Sequence, residues 1–125
     1  MSVQANPIER SLSTNYLGLF NDTGDVLVDE TQEFMEISRA ELAEIFGLTA
    51  DQLRPDRLSS RVKAKIAELA GALEFVAQSF KGDKKKTKFW IKTPNLNFGG
   101  SAPKDLIMRG RYRKVLQFIL TSRQS

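Results

Sequence analysis

The sequence predicts an all-α fold, a small helical bundle, and three observations carry that expectation. Apolar residues recur at helical spacing over most of the chain beyond Thr31, most regularly at Val62, Ile66, Leu69, Leu73 and Val76. Capping residues stand ahead of these stretches: Ser38 with Glu41 three positions on, Thr49, Ser59 or Ser60, and Asp83. Chain-breaking residues separate the stretches, at Gly47, Pro55, Gly82, Pro94, the Gly99-Gly100 pair and Gly110. Within the bundle the pattern predicts a degenerate helix-turn-helix, a C-terminal helical domain and a flexible N-terminal arm.

Taken in order, residues 1 to about 15 are polar, rich in Ser, Asn, Gln and Thr, and read as a mobile arm. Tyr16 to Asp29 places the apolar runs L-G-L-F and V-L-V on either side of N-D-T-G-D, the pattern of a hairpin or a folded-back loop. Residues 1–30 thus form an arm that can hold a short hairpin. Residues 31–80 form a helical region. Phe34 and Ile37 lie one turn apart, and Ser38 opens R-A-E-L-A-E-I-F, with Leu42, Ile45 and Phe46 on one face before Gly47. Thr49 restarts a helix that Pro55 stops. Ser59 or Ser60 then caps a long amphipathic helix whose stripe extends through Ala77 to Phe80. Residues 81–125 follow a Lys-Gly-Asp hinge and carry a helix from Lys84 to Lys92, then two more after Ser101 and after Gly110.

The 125 residues suffice for one domain, burying roughly two thirds of the unfolded surface without staples. There is no cysteine and no histidine. Disulfides, thiolate metal sites, Ser-His and Cys-His nucleophile pairs and the usual zinc ligands are therefore excluded. No cofactor and no enzymatic role is expected. No apolar run reaches bilayer length and M-S-V-Q-A-N-P lacks a signal core, so the expectation is a cytoplasmic protein without a membrane partner. A net charge of +4 permits nucleic acid or an acidic partner without requiring either.

Arg39 to Asp56 has a helix-turn-helix layout, in which Ala43 lets two helices approach and Gly47, four residues on, takes the turn. If that unit reads DNA, the candidates are Arg39, Thr49, Gln52, Arg54 and Arg57, since Gln and Arg pair bidentately with base edges. Pro55 shortens the recognition helix to little more than one turn, and Asp56 stands where an apolar core residue is usual. An ordinary helical corner is the competing reading.

Lys81, Lys84, Lys85, Lys86, Lys88 and Lys92 form the densest positive cluster. They spread around the helix, the mark of a solvated face more than of directed phosphate contacts. Arg109, Arg111 and Arg113 with Tyr112, near Gly110, make a second basic patch, suited to carboxylates on a partner or equally to surface solubility. Asp22-Thr23-Gly24 has the aspartic-protease tripeptide without the second carboxylate or the β-barrel, and no glutamate closes a calcium loop there.

The richest stretch is Trp90 to Leu120. It contains a Trp followed by T-P-N, an apolar residue ahead of G-G, S-A-P-K-D-L-I, and K-V-L-Q-F-I after a glycine. Pro94 ends the preceding helix, Gly99 and Gly100 permit positive φ, Ser101 can cap and Pro103 suits a first turn. This ordered set, over the last third to half of the chain, resembles the C-terminal toxin-binding domain of the Xre/MbcA/ParS antitoxins. These commonly carry an Xre-like helix-turn-helix ahead of that domain. The resemblance implies the antitoxin of a bacterial type II toxin–antitoxin pair, whose partner is a RES-domain or ParT-like, NAD-consuming toxin held with its active site covered. It also implies repression of its own operon as a companion role. Carried onto this chain, the toxin-facing candidates are Trp90, Pro94, Asn95, Phe98, Gly99, Gly100, Arg109, Arg111, Tyr112 and, towards the C-terminal end, Arg123. A homodimer across the long helix would space two helix-turn-helix units about one DNA turn apart. A stand-alone helix-turn-helix transcriptional regulator is the alternative reading.

Overall fold

The computed structural model describes residues 15–124, so nearly all of the mobile stretch expected over residues 1 to about 15 lies outside it, as does Ser125. The described chain is all-helical: α1 (Val28–Met35), α2 (Arg39–Ile45), α3 (Ser60–Ser79), α4 (Lys84–Lys92), α5 (Pro103–Met108) and α6 (Tyr112–Gln124). Two 3-10 turns, Ala50–Leu53 and Leu96–Phe98, interrupt it.

Several helix starts fall where the caps place them. At α2 the Ser38 hydroxyl accepts from the Glu41 amide (3.0 Å) while the Glu41 carboxylate accepts from the Ser38 amide (2.9 Å), a closed capping box. Of the two serines ahead of α3, Ser59 is the cap, accepting from the Val62 amide. Asp83 caps α4 through the Lys86 amide. For α5 the cap is Ala102 rather than Ser101, with no side-chain acceptor for the first-turn amides, while the Asp105 carboxylate accepts the Ala102 amide at 3.3 Å. Pro103 occupies the first turn, as its ring and missing N–H favour.

Two expected elements come out smaller. The Tyr16–Asp29 hairpin reduces to one isolated antiparallel bridge, Phe20 with Val26, because the Asn21 carboxamide oxygen ties the amides of Thr23 and Asp25 into a tight turn. The chain then enters α1 at Val28, three residues before the expected start. The helix restarted at Thr49 is only a 3-10 turn. Arg54 is extended (ψ 141°), the conformation that a following proline imposes, and no α-helical turn can close through it.

α3 is the axis of the bundle. Its stripe, Val62, Ile66, Leu69, Ala70, Leu73 and Ala77, is buried inside the chain, in a hydrophobic cluster that runs without a break from Leu17 to Val115. Each large aliphatic removed from water there stabilises the fold by about 1.5–3 kcal/mol. Residues 31–80 and 81–125 share that core. At one junction the Phe46 and Tyr112 rings meet edge-on at 5.7 Å. Beside it Gly110 adopts φ +79°, and a side-chain carbon there would stand 3.0 Å from the Ile45 carbonyl oxygen.

Candidate functional site

The loop between α4 and α5 is built around Asn95. Its side-chain oxygen accepts the Asn97 amide at 2.9 Å, its backbone N–H donates to the Ser101 carbonyl at 3.1 Å, and its carbonyl accepts from the amides of Phe98 and Gly100. Gly99 and Gly100 take the positive φ values, 67° and 89°, that return the chain towards Ser101. Four contacts in seven residues make this a rigid loop, with Asn95 its clamp. Its tip is Leu96, which is 93% exposed.

Behind the tip the rings of Phe80, Trp90, Phe98 and Phe118 form a row, with successive centroids 6.4, 6.2 and 5.2 Å apart. The row draws on the end of α3, on α4, on the loop and on α6, and all four rings are only half-buried. Tilted and edge-on ring pairs of this kind contribute about 0.5–1.5 kcal/mol each beyond burial. The row therefore fixes the loop to the bundle and leaves ring edges at the surface. Phe118 and Leu96 were not among the sequence candidates. Phe118 was hidden in the α6 periodicity, whereas an apolar residue between two turn-forming asparagines was the available signal for Leu96.

The other C-terminal candidates divide by exposure. Pro94, Arg109 and Arg111 are exposed, and neither arginine has a carboxylate partner among the described residues. Arg123 is carried on the last turn of α6, with its side chain outside the described set. Tyr112 faces inward. Its hydroxyl donates to the Glu68 carboxylate at 2.6 Å, and Arg113 reaches the same oxygen at 3.0 Å. The Tyr112 bond, with the Arg113 contact second, holds Glu68 below the ordinary carboxylate range. Burial first, and then the Glu68 bond, pushes the Tyr112 phenol up to about 12. Tyr112 thus pins α6 to α3, and its neighbours Arg109 and Arg111 are left as the solvent-facing pair.

The helix-turn-helix candidates lie on another corner, and each is engaged within the chain. Gln52 accepts the Thr49 amide at 2.9 Å. Arg57 pairs with Asp51 at 2.9 Å, and Arg54 pairs with Asp51 (3.3 Å) and with Asp56 (3.4 Å). Arg39 points to Asp29 on α1 at 3.7 Å. Asp56, unexpected at a core position, is exposed and serves this ion-pair cluster. Two arginines against two aspartates leave the Asp51–Arg57 corner with no net charge.

The lysine cluster is also divided. Lys88 and Lys92 both reach Glu36 beyond the end of α1, Lys88 at 3.3 Å, and Lys88 also stands 5.5 Å above the Phe34 ring. Those two contacts, Lys92 before Lys88, hold the Glu36 carboxyl below its ordinary value. Lys81, Lys84, Lys85 and Lys86 have no ion-pair partner among the described residues.

Among the described residues no helix is long and apolar enough to cross a membrane, and the apolar stripe of α3 lies within the chain's own core. Comparison with family models, with curated proteins and with solved structures finds no match for this chain.

Proposed function

We propose that this chain is a stoichiometric protein inhibitor acting in the cytoplasm, the antitoxin of a type II toxin–antitoxin pair. Its partner is a RES-like or ParT-like NAD-consuming toxin, whose active-site entrance it covers with the loop between α4 and α5. One observation carries the reading: a rigid, clamped loop thrusts Leu96 into solvent beside the row Trp90–Phe98–Phe118, within the stretch that resembles the antitoxin domain. An apolar anchor on a preorganised loop, backed by half-buried aromatics, is the anatomy of an interface hot spot, because little entropy is lost on docking. Arg109 and Arg111 add exposed charge for partner carboxylates. The stand-alone regulator draws less support, because the arginines of its reading corner are neutralised within the chain.

The test is co-expression of the tagged chain with the product of the adjacent gene. A complex that co-purifies, and growth restored only when this chain is present, is the expected result. Leu96→Asp should then weaken the complex more than tenfold while leaving the melting temperature unchanged. Absence of both complex and toxicity overturns the proposal.

A further inference from the structure

The outer face of α4 has no account in the fold or in the proposed inhibitor surface. Thr87 and Ile91 are its buried side, and Lys88 and Lys92 turn towards Glu36. Phe89 lies on the opposite side, 72% exposed, with Lys85 and Lys86 four and three residues before it and therefore on the same face. At the near end of the helix Tyr16, 43% exposed, lies so close over Gly82 that a side-chain carbon there would meet its ring at 2.6 Å. Lys84 is close enough to the same loop for its charge to act on Glu74, which holds the amides of Leu17 and Leu19. Two exposed aromatic rings thus bracket Lys81, Lys84, Lys85 and Lys86, with Asp83, already used as the α4 cap, the one carboxylate in that stretch.

This arrangement is costly as structure. Three consecutive lysines in the first turn repel one another and oppose the positive end of the helix dipole. A large ring held in water contributes nothing to the core. Both features become favourable against a polyanion that has flat apolar faces of its own.

We infer that this face binds single-stranded nucleic acid, with the four lysines on the phosphates and unpaired bases stacked on Phe89 and Tyr16. An acidic protein would use the lysines equally well but would not need two open rings. Duplex DNA would engage the lysines while keeping its bases out of reach. The inference is independent of the inhibitor reading and assigns nucleic-acid contact to α4 rather than to the Thr49–Arg57 corner.

Fluorescence anisotropy with a labelled twelve-nucleotide oligothymidylate and the full chain tests it. Single strands release about 0.7 counterion per phosphate neutralised, so four lysines give a log–log salt slope of about −3. Raising salt fourfold should then cost roughly fifty-fold in affinity. Lys85→Ala with Lys86→Ala should halve the slope. Phe89→Ala should lower affinity by roughly five-fold or more and leave the slope alone. Arg54→Gln with Arg57→Gln should change neither. The inference is overturned if no binding occurs at 50 mM salt, if Phe89→Ala binds normally, or if the corresponding duplex binds as tightly. Displacement by polyglutamate at equal charge as readily as by unlabelled strand overturns it too.

Discussion

Removing the carboxylate of Glu74 should detach the segment Leu17–Phe20 from the bundle. Glu74 is buried on α3, and its two oxygens accept the Leu17 amide (3.0 Å each) and the Leu19 amide (3.2 Å). No helix or sheet serves those donors, so in Glu74→Ala both are left unpaired next to a core that holds Leu17 and Leu19. An unsatisfied buried amide costs about 1–3 kcal/mol, which gives about 2–6 kcal/mol for the pair. The lower half of that range is expected, since the substitution also relieves the desolvation of a charge. Glu74→Gln keeps one acceptor oxygen and should lose about 1 kcal/mol.

The pH dependence separates this carboxylate from the others. Burial pushes the Glu74 carboxyl above its ordinary value, against the pull of the Leu17, Leu19 and Tyr16 amides and of the Lys84 charge. Its folded state therefore holds the proton more tightly than its unfolded state. The resulting stabilisation is complete below the unfolded value of about 4.3 and is lost as pH rises through the folded value. Urea denaturation at pH 7 and pH 5 should show the unmodified chain gaining on Glu74→Gln as pH falls. Amide exchange should show protection lost at Leu17 and Leu19 in Glu74→Ala. Unchanged exchange at those two amides, or a difference between wild type and Glu74→Gln that grows with pH, would refute the reasoning.

The remaining expectations are as direct. Gly110→Ala should destabilise by about 2 kcal/mol, from a left-handed backbone and the Ile45 carbonyl 3.0 Å away, while Gly71→Ala, inside α3 with open space around it, should stabilise by about 0.5–1 kcal/mol; thermal denaturation compares them. Ser38→Ala opens the capping box of α2 and should cost about 1 kcal/mol by urea titration. Glu68→Gln removes the charge that helps hold the Tyr112 phenol high, so spectrophotometric titration should find Tyr112 ionising at lower pH than the wild-type value of about 12. Glu36, Glu41 and Glu68 all ionise below their ordinary range, so their stabilisation is present above that range and declines as pH falls, opposite in sign to Glu74.

How far the sequence could be read depended on whether a residue's partner was local. The Ser38–Glu41 box, the Asp83 cap, the α3 stripe and the effect of Pro55 involve neighbours within a few positions, and each was legible. Ser101 was the exception among the caps, because the helix begins one residue later than the serine would place it, with Ala102 at the cap and its amide donating to the Asp105 carboxylate. Glu74 was not legible, since its partners lie 55 and 57 residues away and an acid in a helical stripe reads as a surface residue. The same holds for Tyr112, grouped with Arg109, Arg111 and Arg113 by sequence but turned inward by Glu68, 44 residues distant.

The charges show best why composition alone misleads about a binding face. A helix-turn-helix layout with three arginines looks like the basic surface of this chain, and the lysines of α4 look like dispersed solubility charge. Ion pairing reverses the weighting. Asp29, Asp51 and Asp56 pair with the arginines of the corner, while Glu36 engages only Lys88 and Lys92 and leaves four lysines without an ion-pair partner among the described residues. Net charge is fixed by the sequence, but the free field is fixed by which carboxylates the fold brings within about 4 Å of which cations. Among the described residues Leu96 is the most exposed large apolar side chain, Arg109 and Arg111, like the lysines that open α4, carry positive charge with no ion-pair partner, and the arginines of the Thr49–Arg57 corner carry theirs within ion pairs.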